Sequence, residues 1–121
     1  MSQSLLFNCT HGKEDSERAI LPFVAANVAA TAGLEATVVC TVEAVWLGTK
    51  GGADGVVREG LPALSTLLEE FRQNGGKVWL CGACTKPRGI TAEHTAPGVT
   101  IVGAATIVEA IAKGATPVAF A

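Results

Sequence analysis

Short, continuous apolar runs separated by stretches of helical periodicity constrain this chain more than any other feature. The runs are SLLFNC at 4–9, ATVVCT at 36–41, KVWLC at 77–81, GVTIVG at 98–103 and PVAF at 117–120. Apolar runs that do not alternate are how strands covered on both faces of a parallel sheet read. Between them the spacing predicts three helices. The first opens on Ser16 as its N-cap and ends at Gly33; Pro22 inside it predicts a kink or a late start. The second starts at Pro62, carries Leu64, Leu67, Leu68 and Phe71 at helical spacing, and closes at Asn74 and Gly75. The third lies between Gly103 and Gly114, with Ile107, Val108 and Ile111 as its stripe. A short helix is expected in VEAVWLGTKGG at 42–52 and a turn or two in CTKPRG at 84–89, while residues 48–60, with five glycines, read as the mobile loop. Strand and helix alternating in this way require right-handed crossovers. The expected fold is therefore α/β, a three-layer α/β/α sandwich around a mostly parallel five-stranded sheet.

A chain of 121 residues suits one domain, 1–121, with its own core. With 49% apolar and 17% charged residues it lacks the composition that keeps polypeptides disordered. The formal charge of −2, with no basic cluster longer than Lys86 to Arg88, gives counterion release little to act on and excludes nucleic acid as an expected partner. No apolar run approaches the roughly 18–20 residues that span a bilayer, and the first residues lack a charged start followed by a long apolar stretch. No membrane association and a cytoplasmic location are expected. Four cysteines in such a chain argue against a disulfide framework, because the core needs no staples; any disulfide would be transient.

The predicted strands end on cysteine: Cys9, Cys40 and Cys81 share the carboxyl rim of the sheet, where open α/β sheets bind ligands. Cys9 and Cys40 read as buried strand residues. Cys81 opens a helical turn, whose unpaired N–H groups, with Lys86 and Arg88 close behind, favour the nucleophilic thiolate. Cys84 reads as a resolving thiol or as packing. His11, beyond the first strand on the same rim, is the candidate for tuning Cys81 by proton exchange. Glu43 and Lys50 read as solvated charges near that rim, and Trp46 as part core, part interface.

The pair Cys81-x-x-Cys84 admits several chemistries. A thioredoxin-like dithiol suits the strand-to-helix junction, and Thr116-Pro117 supplies a cis-proline candidate, but four residues after that proline leave no room for the strand and helix that the thioredoxin fold places there. Zinc would need Cys81, Cys84, His94 and a fourth ligand from His11 or Cys9, with no second paired motif to supply it. The first strand-to-helix turn, NCTHGKEDSE, has one glycine where a dinucleotide site needs three, and no Walker sequence is present. No metal and no organic cofactor are expected. Sulfur carriage on Cys81 as a persulfide is the fourth reading.

Over nearly its whole length the chain resembles the DsrE-like (DsrE/DsrF) proteins of sulfur relay. The resemblance rests on the His11-Gly12 turn, on VVCTVEAVWLGTKGGADGV at 38–56, and on Cys81 followed by Arg88-Gly89-Ile90. It implies a three-layer parallel fold, Cys81 as the sulfur-accepting residue, sulfur donor and acceptor proteins as partners, and assembly as a homotrimer or a hexamer of stacked trimers. Cys84 departs from relay subunits with a single active cysteine. It leaves open a dithiol redox protein using Cys81 and Cys84, and a catalytically inactive interaction subunit.

Overall fold

The computed structural model describes residues 3–120. Five strands form one sheet: β1 Ser4–Cys9, β2 Glu35–Cys40, β3 Lys77–Cys81, β4 Val99–Val102 and β5 Thr116–Val118. Their order is β4-β3-β2-β1-β5 and every pairing is parallel. The helices are α1 Ser16–Thr31, α2 Leu64–Gln73, α3 Gly82–Thr85 and α4 Ala104–Ala112, with 3-10 segments at Val42–Gly48, Lys86–Arg88 and Ala92–His94. The chain steps from β1 to β4 in one direction and then returns across the sheet to β5. Right-handed crossovers accordingly place α1 and α2 on one face and α4 on the other.

The α1/α2 face holds the main core. Phe7, Cys9, Val38, Cys40, Val78 and Leu80 face Ile20, Phe23, Leu64 and Phe71, with Ala44, Val45 and Leu47 closing the carboxyl end. Phe23 and Phe71 meet edge to face at 6.3 Å, joining α1 to α2. Asn27, buried in α1, donates to the carbonyls of Phe23 and of Leu67 across the helix interface. The opposite face is thinner: Leu6, Val39 and Ala115 are buried there, with Trp79, Ile107 and Ala110 packed partly against them. Residues two apart along a strand share a face, which is why Leu6, Val39 and Trp79 leave the main core to their neighbours.

Several boundaries differ from the sequence-based expectations. The N-cap of α1 is Asp15, whose carboxylate accepts from the Arg18 amide at 3.1 Å; Ser16 is the first helical residue. That amide and the Arg18 guanidinium also hold the Asp15 carboxyl below its usual range. Pro22 neither delays nor ends α1, which runs on from Ser16 to Thr31. Helix α2 begins at Leu64, two residues after Pro62. The Thr116-Pro117 peptide is trans, as is every peptide among the described residues. The glycine-rich stretch 48–60 is anchored by buried Ala53 and Val56, and the Leu64 amide donates to the Val56 carbonyl. Helix α4 lies between Gly103 and Gly114 as expected, but its apolar stripe is uncovered: Val108 is 64% and Ile111 41% exposed and no residue is buried.

Candidate functional site

The carboxyl rim gathers the ends of β1, β2 and β3, and with them the four cysteines. Cys9 and Cys40 lie side by side in the β1–β2 register, both fully buried. A hydrogen bond with Cys9, and then burial itself, push the Cys40 thiol well above its ordinary value. Cys9 in turn directs its Sγ to the carbonyls of His11 and Ala19, at 3.6 and 3.7 Å. Neither sulfur is placed to attack a molecule arriving from solvent.

This buried thiol has a consequence for stability. With the folded value raised, stability from Cys40 is complete below the ordinary thiol value and declines above about pH 9, where the unfolded chain releases a proton that the folded chain keeps. Urea unfolding should show the wild type losing up to about 1.4 kcal/mol per pH unit relative to Cys40→Ala in that range, the slope for one proton. Parallel pH profiles for the two chains would contradict the placement.

Cys81 is the last residue of β3, pairs with Val102 of β4, and caps α3. It is half-buried. By strand alternation it shares a face with Trp79, on the thin α4 side, and the β2–β3 register continued by one residue sets Thr41 beside it. Gly82 follows: a β-carbon there would stand 3.3 Å from the Val102 carbonyl oxygen, so a residue without one lets α3 start close over β4.

Cys84, a turn later in α3, packs instead against the main core. Its sulfur accepts the Val42 amide at 3.2 Å. Val42 has φ 54°, a left-handed conformation in which a β-branched side chain is strained, and is the one non-glycine residue with positive φ among those described. Arg88 donates to the Cys84 carbonyl at 3.0 Å and to Glu43 Oε1 through Nε and Nη2 at 3.2 and 3.0 Å. The β1–α1 turn closes the group from behind, since a β-carbon on Gly12 would lie 2.7 Å from the Glu43 carbonyl.

The expected site residues thus divide. Cys81, Cys84 and Arg88 come together around α3, with Arg88 turned toward Glu43 and the Cys84 carbonyl. Lys86 is exposed on the 3-10 turn Lys86–Arg88. His11 stands beyond β1, which β2 separates from β3, and its Nδ1 faces Glu14 Oε2 at 2.8 Å. Sequence reasoning missed Val42, whose type argues against the conformation it adopts, and the Glu43–Arg88 pair, whose members lie 45 positions apart. Among the described residues no three His, Cys, Asp or Glu side chains form a group that would hold a metal ion, and no helix is long and apolar enough to cross a membrane.

Comparison with known proteins places this arrangement. The chain is 29% identical over 104 residues to the uncharacterized protein MJ0760 of Methanocaldococcus jannaschii; the match covers 86% of this chain and 38% of that longer relative. Among solved structures, the ychN protein of E. coli superposes with a TM-score of 0.80 at 19% identity, covering 98% of this chain and 99% of that one. MTH1491 of Methanobacterium thermoautotrophicum, a protein of unknown function, gives a TM-score of 0.73 at 18% identity, covering 98% and 99%. At such identities these two likenesses concern the fold. The DsrE/DsrF-like family model matches residues 3–120, and the chain belongs to that family.

Proposed function

We propose that this protein is a cytoplasmic sulfur-relay component that accepts sulfane sulfur on Cys81 and passes it on. The observation that carries the reading is the division of the thiols at the rim. Cys9 and Cys40 are sealed, Cys84 is engaged by the Val42 amide, and Cys81 is half-exposed with no such partner among the described residues. Membership of the DsrE/DsrF-like family supports a sulfur-relay role for that thiol. In the transfer, the Cys81 thiolate attacks the outer sulfur of a donor persulfide. The donor S–S bond breaks, the donor leaves as a thiolate, and the proton stays on the sulfur now bound to Cys81. An acceptor thiolate repeats the step in the other direction, with no net oxidation and no cofactor.

A dithiol cycle between Cys81 and Cys84 is the competing chemistry. It has less support, because the two side chains approach opposite layers of the fold and disulfide formation requires Cys84 to leave the Val42 amide. Intact mass after treatment with a persulfide donor decides. A gain of one sulfur atom supports the relay; loss of two hydrogens without added sulfur indicates the disulfide, and an unchanged mass indicates an inactive interaction subunit.

The relay reading includes assembly of identical copies through the α4 face. Ile107, Ile111, Leu6 and Val39 line an open cavity of about 420 Å3 there, and Val108 adds exposed apolar surface. The ionisable side chains of α4 and its C-cap, Glu109 and Lys113, pair with each other at 2.8 Å, so two copies can meet without like-charge repulsion. Apolar surface so exposed supports an interface at this face. Light scattering behind size exclusion should find trimers or hexamers for the wild type and monomers for Ile111→Lys; a monomeric wild type rules the interface out.

A further inference from the structure

Resting on the relay reading above, we propose that the cavity between the 3-10 segment Val42–Gly48 and the stretch 88–94 binds the small carrier of that sulfur, an amino-acid or short-peptide thiol bearing carboxylates and an ammonium group. The cavity measures about 370 Å3, within the range of small-ligand sites. Trp46, 39% exposed, and Ile90 give it an apolar wall. The remaining chemistry comes from Lys50, Arg88, His94 and Glu93.

Donors dominate this lining. No carboxylate among the described residues pairs with Lys50. The Nδ1 atom of His94 accepts the Thr91 amide at 2.9 Å, which leaves the neutral ring with its proton on Nε2 as a donor. Arg88 commits three of its five N–H groups to Glu43 and to the Cys84 carbonyl, so it joins the cavity to the segment that carries the thiols. Glu93 is the one carboxylate of the lining. Cations and N–H donors with a single carboxylate complement a ligand with carboxylates and one ammonium, and the indole face suits its aliphatic and sulfur-bearing part.

The cavity is also held open by backbone bonds. The Lys50 amide donates to the His94 carbonyl and the Ala96 amide to the Gly48 carbonyl, both at 2.8 Å, and Thr49 bridges Thr95. A β-carbon on Gly52 would collide with the Trp46 carbonyl oxygen, so a glycine is required for the loop to pass close against the Trp46 backbone. Walls fixed before binding spare the ligand the cost of ordering them.

Reduced glutathione is a suitable probe. Titrated into Trp79→Phe, where Trp46 is the remaining tryptophan, it should change the emission saturably. Lys50→Glu should weaken binding about five- to tenfold, as expected for reversing one exposed charge at a polar contact. Lys13→Glu, an exposed lysine on the β1–α1 turn, should leave it unchanged. Should Trp79→Phe fail to fold, the Trp46 indole N–H resonance in the wild-type chain gives the same titration. No saturable response, or equal weakening by both charge reversals, overturns the proposal. Sulfur loading is read separately by mass: a chain that binds glutathione but gains no sulfur keeps the cavity and loses the relay, whereas one that gains sulfur from inorganic polysulfide without binding glutathione keeps the relay and loses the cavity.

Discussion

Cys81→Ala is expected to abolish sulfur loading, lowering it by about a hundredfold or more, as removal of an attacking group does. No other thiol is placed to take over. Cys9 and Cys40 are inaccessible, and the Cys40 proton is held by its bond with Cys9 and by burial. The sulfur of Cys84 is occupied by the Val42 amide. Cys84→Ser should retain loading, because a hydroxyl oxygen also accepts that N–H and so preserves the turn. Intact mass and tryptic mapping after donor treatment provide the readout. If Cys81→Ala still loads and Cys84→Ser does not, the accepting sulfur is Cys84, and the Val42 amide becomes the group that prepares it.

The second large effect concerns stability. Phe71→Ala should cost about 3–5 kcal/mol, the range for deleting a buried aromatic ring. Phe71 and Phe23 are both fully buried, and their edge-to-face contact is the centre of the α1–α2 interface. The site cannot easily collapse, since sheet residues wall it on one side and the backbone at Gly76 on the other; a β-carbon on Gly76 would collide with the Phe71 ring. Against a total of about 5–15 kcal/mol for domains in general, such a loss lowers the melting temperature by roughly 15 °C. Thermal and urea unfolding give the value directly. A cost below about 1 kcal/mol, that of an exposed position, would mean that the ring is not enclosed as described.

Much of the architecture was legible from the pattern of apolar residues. A strand with both faces covered must be apolar throughout, and the five such runs became the five strands with ends shifted by at most a few positions. The same logic put Cys9, Cys40 and Cys81 on one rim. What stayed hidden depends on contacts between distant segments or on backbone geometry that side-chain type does not encode. Val42 is driven into a left-handed turn by the junction of β2 with its 3-10 segment, against its own preference. Glu43 meets Arg88 only because the ends of β2 and β3 adjoin. The stripe Ile107-Val108-Ile111 was legible as the apolar side of a helix but its exposure was not, because periodicity reports that a helix has an apolar side and not whether its own chain covers that side.

The shortness of β5 bears on how copies of this protein stay out of one another's sheets. It pairs with β1 over three positions, and the middle one is Pro117. Proline has no N–H to offer an incoming backbone, and three residues are too few to template another chain's strand. That margin is closed to growth by continuous hydrogen bonding, so encounters along it are left to side chains, which can be selective where bare backbone cannot.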